Sequence, residues 1–181
     1  GYYVDVFRSR KEKGGDKMHD YFYHNLGQTL TLTAADGSDL NLQPTEELAF
    51  AGAHLYAYSY LYDKKVAATN KDVKATFTID MKDKDGDDIY MNLWMKGEPD
   101  REVFTALAPM TEGLSRTPNM PYNIKEQPTL TFVARQHGEA WNRPFVSIYE
   151  PSTKKEPSAI QSVSYFDAEG AGLKDFAGIC V

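Results

Sequence analysis

Short stretches in which apolar and polar residues alternate recur along the chain, the mark of half-buried strands. Tyr3-Val4-Asp5-Val6-Phe7-Arg8 opens the series, and a polar run at 11–17 containing Gly14 and Gly15 turns it. His19-Asp20-Tyr21-Phe22-Tyr23-His24 is aromatic and extended until Leu26-Gly27. Thr29-Leu30-Thr31-Leu32-Thr33 alternates without interruption, and Asp36-Gly37 turns it. Residues 40–44 read as extended, with Pro44 helping to end the stretch because proline donates no ladder hydrogen bond. Thr45-Glu46-Glu47-Leu48 fits a short helical turn, and 56–62, dense in tyrosine, reads as extended.

The clearest hairpin follows. In 74–81, Ala75, Phe77, Ile79 and Met81 share one face. Asp85-Gly86 makes the turn, and Ile89, Met91, Leu93 and Met95 face inward on the return strand. Later strands are predicted at 128–135, at 143–151 (stopped by Pro151) and at 160–166, with a loop at 113–122 and a turn at 136–140. Residues 176–181 read as the opening of another strand. No long segment has helical period. About ten short strands at fairly regular spacing predict an all-β fold, an antiparallel β-sandwich forming a single domain over 1–181. The strand that starts directly after Gly1, the missing initiator Met and the abrupt C-terminus suggest a chain truncated at both ends from a longer protein.

Composition narrows the classes. A net charge of −6 gives no general attraction to nucleic acid or to an anionic membrane, so gripping an acidic polysaccharide would need a local basic patch. No run of about 18 apolar residues exists, so no helical membrane span is expected. Cys180 is the only cysteine, which rules out an intrachain disulfide and leaves the compartment unread.

The densest chemistry lies in 19–24. Alternation puts Asp20, Phe22 and His24 on one face and His19, Tyr21 and Tyr23 on the other, which argues against joint zinc ligation by His19 and His24. A structural or docking network, a ligand contact and a metal contact stay open for this segment. Asp83-Lys84-Asp85-Gly86-Asp87-Asp88 resembles half of a calcium loop, but the twelfth position falls on Trp94 rather than an acid, and a hairpin accounts for the composition. His54 and His137 stand alone, the latter in an exposed turn. Glu150, before Pro151, reads as a lone acid at the sandwich rim or as a salt-bridged or solvated side chain. No nucleophile–base pair occurs at a recognisable spacing.

Together, Tyr3-Val4-Asp5-Val6-Phe7-Arg8, the glycine-rich turn, His19-Asp20-Tyr21-Phe22-Tyr23-His24 with Gly27, Pro128-Thr129-Leu130 through Arg135, and Arg143-Pro144-Phe145-Val146-Ser147-Ile148-Tyr149-Glu150-Pro151 resemble the β-sandwich region of heparinase II/III-like polysaccharide lyases. The resemblance implies a longer, periplasmic or secreted protein in which an N-terminal α/α toroid precedes the sandwich. It implies β-elimination on uronate-containing polysaccharide, which needs the carboxylate neutralised, the C5 proton removed and the leaving oxygen protonated. In that family, Asn and Tyr of the toroid and a His-x-His-x-Asp loop with a zinc site supply this chemistry. Neither is found here. The resemblance therefore implies no catalytic residue, metal ligand or cofactor within 1–181, with zinc possible elsewhere in the parent protein. It assigns His19, Asp20, Tyr21, His24, Arg143 and Glu150 to shaping the sandwich and its face toward the toroid.

A second class is a stand-alone carbohydrate-binding or cell-surface module. Tyr56, Tyr58, Tyr60 and Tyr62 would then form one stacking face, with Tyr58 and Tyr60 as its centre, against the plainer reading of inter-sheet packing. A third class is a structural module of some other secreted enzyme.

Overall fold

The computed structural model describes residues 1–49, 56–81, 86–111, 124, 126–166 and 176–181. His54, the 113–122 loop and the first half of the 83–88 acidic run therefore lie outside the described residues. The strands are β1 (Tyr3–Ser9), β2 (Met18–Asn25), β3 (Thr29–Ala34), β4 (Gln43–Pro44), β5 (Tyr62–Ala68), β6 (Val73–Ile79), β7 (Ile89–Met95), β8 (Arg101–Ala108), β9 (Thr129–His137), β10 (Ala140–Thr153), β11 (Ser164–Phe166) and β12 (Gly178–Cys180).

Two five-stranded antiparallel sheets carry the fold, in the orders β1-β10-β7-β6-β3 and β2-β9-β8-β5-β4, with β11 and β12 forming a separate pair. Their inner faces share one core. Leu32, Val73, Ala75, Phe77, Leu93, Met95 and Phe145 come from the first sheet, and Ala67, Val103, Leu130, Phe132 and Ala134 from the second. The antiparallel sandwich read from alternation is the architecture found. The 74–95 hairpin is also found, with Val73 opposite Met95 and Ile79 opposite Ile89, although Ile89, expected to face inward, is exposed at the start of β7. Its closing acids have local work: Asp87 Oδ1 accepts from Lys155 N and Asp88 Oδ1 from Met81 N.

The middle of the second sheet, β8 and β9, is buried on both sides, and this positions the site. On its outer face Phe104, Ala106 and Val133 pack under Leu48 and Leu61. Burial on both faces erases alternation. Alternation accordingly does not single out β8, although β8 pairs with both β9 and β5 near the middle of the sheet.

Four local expectations are corrected. Residues 56–60 form a 3₁₀ helix rather than a strand, with the Leu61 amide donating to the Tyr58 carbonyl. The tyrosines at 56, 58, 60 and 62 therefore do not share one strand face. The 45–48 segment is not helical; Gln43–Pro44 pairs with β5 as a two-residue edge strand before it, and Leu48 plugs the outer core. Pro151 does not end β10, which continues to Thr153. The ladder with β1 stops at Tyr3 opposite Tyr149, so beyond that point β10 is paired only with β7 and a missing amide on the free flank is tolerated. Likewise, the strand expected over 160–166 is confined to β11.

Candidate functional site

β2 is an edge strand of the second sheet, and its alternation sends side chains to two different environments. Tyr21 and Tyr23 point between the sheets. The Tyr21 hydroxyl donates to Asp5 Oδ2 at 2.7 Å, lies 3.3 Å from Ser147 Oγ and also bonds the Tyr149 hydroxyl. Its ring stacks on Phe145, while Tyr23 meets Phe77 edge-on. Burial first, then the bond to Asp5, pushes the Tyr21 phenol well up from its ordinary range.

Asp20, Phe22 and His24 point the other way, into a groove between β2 and residues 47–49 and 57–61. Asp20 lies directly opposite Arg135 in the β2–β9 register. Their contact is a two-pronged ion pair, Nε to Oδ1 at 2.7 Å and Nη2 to Oδ2 at 2.9 Å. Tyr58 donates to Asp20 Oδ2 at 2.8 Å and sets its ring edge-on against Phe22. Arg135 Nη1 reaches Glu47 Oε2 at 3.1 Å, and the guanidinium lies over the Phe104 ring at 5.3 Å. The hydrogen-bonded Asp20 carboxylate raises the arginine's pKa. Burial, then the bond to Asp20, raises the Tyr58 phenol.

Tyr58 is a wall shared by two cavities. One, of about 390 Å³, sets the charged groups of Asp20, Glu47 and Arg135 among Met18, His19, Leu48, Ala49 and Tyr58. The other, of about 340 Å³, is aromatic and apolar, lined by Phe22, His24, Tyr60, Leu61 and Pro109 as well as Tyr58. His24 Nδ1 lies 2.8 Å from Thr131 Oγ1, its cross-strand partner, and its ring is stacked near Phe22. Partial burial lowers its pKa from the ordinary 6.5. Tyr60 is 61% exposed at the cavity mouth. His19 pairs with Asp16 at 2.7 Å.

Five of the eight residues singled out from sequence thus surround this groove: His19, Asp20, His24, Tyr58 and Tyr60. Tyr21 faces the inter-sheet core. Arg143 and Glu150 stand on β10 in the other sheet, roughly 23 Å apart along the strand. Arg143 donates to the carbonyls of His137 and Pro99. Glu150 is 4% exposed and accepts from Ser158 Oγ and the Ala159 amide, fastening the segment after β10 onto the sheet. It is therefore a buried hydrogen-bonded acid rather than a rim or solvated one. Arg135 and Glu47 are the groove residues the sequence reading passed over. An arginine closing the apolar run Phe132-Val133-Ala134 was a usable signal, because a charge on a buried strand face calls for a partner.

The geometry offers an aromatic platform beside a charged, hydrogen-bonding pocket, a combination suited to holding a polyhydroxylated, planar-faced ligand. Among the described residues no group of three or more His, Cys, Asp or Glu is placed to hold a metal ion, and no helix is long and apolar enough to cross a membrane.

No family model matches the chain, and no solved structure matches it. Among curated proteins it is similar to an endo-acting ulvan lyase of Formosa agariphila, 34% identical over 168 residues. That alignment covers 91% of this chain and 19% of the other protein. The chain is thus related to a polysaccharide lyase, and it spans about a fifth of the length of the curated relative it matches.

Proposed function

We propose that this chain is the β-sandwich domain of a periplasmic or secreted, heparinase II/III-like polysaccharide lyase, and that the groove around Tyr58 faces the acidic polysaccharide the longer protein cleaves. The elimination chemistry then belongs to a helical toroid elsewhere in that protein, which the sandwich supports beside the substrate cleft. The observation that carries this reading is the similarity to an endo-acting ulvan lyase across nearly all of this chain but only a fifth of that protein. The groove supports it: an exposed Tyr60, the half-shielded Tyr58 and the Asp20–Arg135 pair give stacking and hydrogen bonding in one place. The strip of β1 formed by Tyr3, Val4, Val6 and Phe7, all exposed, supports docking of a neighbouring domain.

The test compares 1–181 with the longer chain on ulvan and on other uronate polysaccharides. The expected result is glycan retention without new unsaturated ends from 1–181, and unsaturated ends, read by their ultraviolet absorbance, from the longer chain. Elimination by 1–181 alone, or a longer chain that cleaves no uronate polysaccharide, overturns the reading.

A further inference from the structure

Arg135 carries two carboxylates that are held very differently. Asp20 is 6% exposed, engages Nε and Nη2 together, and also accepts from Tyr58. Glu47 makes a 3.1 Å contact to Nη1, and its side chain is 50% exposed. Taking Asp20 away would strand a buried charge. Releasing Glu47 into water costs little, because an exposed carboxylate is nearly as well solvated free as paired. Both acids and the arginine line the same cavity, next to the aromatic one.

We infer that the Nη1 side of Arg135 is a subsite for the anionic group of an acidic sugar residue, and that Glu47 occupies it as a built-in competitor until the ligand displaces it. The inference rests on the groove facing polysaccharide. The exchange conserves charge in the groove: one carboxylate leaves and one carboxylate or sulfate enters. Direct addition of an anion beside Asp20 and Glu47 would instead place three negative groups around one guanidinium. The adjoining Tyr60 platform would take the neighbouring sugar ring by its C–H face. Glu47 thereby sets the selectivity of the groove, since an uncharged sugar gains nothing from displacing it.

The test titrates a short oligouronate, its carboxyl-reduced counterpart and inorganic sulfate into wild type, Glu47→Ala, Glu47→Asp and Tyr60→Ala, following groove resonances by NMR. Glu47→Ala removes the competitor with its charge. Glu47→Asp keeps the charge but shortens the side chain by one methylene, so it no longer spans to Nη1. Both should bind the oligouronate about 3- to 5-fold tighter than wild type, the scale of an exposed ion pair. Affinity for the carboxyl-reduced sugar should not change. A gain for sulfate equal to that for the oligouronate assigns the subsite to any oxyanion; a gain for the oligouronate alone assigns it to carboxylate, and either supports the inference. A gain in Glu47→Ala without one in Glu47→Asp reports only long-range charge and overturns the competitor role. If the glycans bind, and Tyr60→Ala weakens them, but neither Glu47 variant changes the preference, the groove reading stands and this inference falls. Binding of no glycan by any variant overturns both.

Discussion

Two partly buried polar networks built around tyrosines stand on opposite sides of the same β-sheet. Between the sheets, Tyr21 joins Asp5, Ser147 and Tyr149 in a network walled by Phe7 and Phe145. On the outer face, Tyr58 joins Asp20, which is locked to Arg135, with Glu47 at the open side. β2 contributes to both through neighbouring residues, since alternation sends Tyr21 one way and Asp20 the other. The networks use similar chemistry but differ in what closes them. The inner one sits partly buried between the sheets, its tyrosine rings packed against Phe145, Phe77 and each other, and it ties β1, β2 and β10 together. The outer one opens into two cavities, and one of its members is half exposed. A hydrogen-bond network becomes a candidate site where one of its bonds can be exchanged for a ligand's, and the contact of the half-exposed Glu47 meets that condition.

The comparison breaks most sharply at Arg135. Arg135→Met leaves Asp20 buried with Tyr58 as its donor and no cation. The expected cost is about 3–5 kcal/mol, read from the urea midpoint. Pairing it with Asp20→Leu should recover most of that loss, because an apolar pair of similar size removes the stranded charge along with its partner. A single-variant loss under about 1 kcal/mol would mean the pair is solvated like a surface bridge, and the outer network would then be no structural element at all.

The inner network should be less demanding. Tyr21→Phe keeps the ring that stacks on Phe145 and removes only the hydroxyl. The expected loss is about 1–2 kcal/mol, with groove binding unchanged. A change in glycan affinity would show that the two faces of β2 are coupled, contrary to their separation in the fold.

The two faces also differ in how far sequence could reveal them. A strand with one buried face announces itself: along β6, Val73, Ala75 and Phe77 are buried while Lys74 and Thr76 are less so, and the hairpin it forms with β7 is in register. The division of β2 into an Asp20–His24 face and a Tyr21–Tyr23 face is equally plain from period two. The outer face of the second sheet is not, for two physical reasons. β8 and β9 are buried on both sides, so Val103-Phe104 and Phe132-Val133-Ala134 lose the polar beat that marks a strand. Secondly, the segment that covers them takes its shape from tertiary contacts. Tyr58 is drawn down by Asp20 and Phe22, and Leu61 is buried beside it, so the chain curls into a 3₁₀ turn where tyrosines two apart suggested a strand. Asp20 and Tyr58 could be named from sequence. Their meeting with Arg135 and Glu47 needed the register of β2 on β9 and the placement of Glu47 and Tyr58 over β2, which no local pattern encodes.

The smallest expected effect separates the networks by pH. Burial raises the phenols of Tyr21 and Tyr149, moving them further above the range of about pH 5–8 in which histidine titrates. The inner tyrosines therefore add no acid-side slope to stability. His24 on the groove wall behaves differently, since its pKa in the folded protein lies below the ordinary 6.5. Between the lowered value and about 6.5 the unfolded chain binds more protons than the folded one, so stability falls as pH drops through that window and is untouched above it. His24→Gln should remove this slope while keeping a hydrogen-bonding group near Thr131. The measurement is the urea midpoint at about pH 7.5 and about pH 5 for wild type and variant. The wild-type midpoint should fall more between the two than the variant's. The difference should be slight because the ring is only partly covered. An identical fall in both would place the acid sensitivity elsewhere and leave the groove as silent to protons as the core.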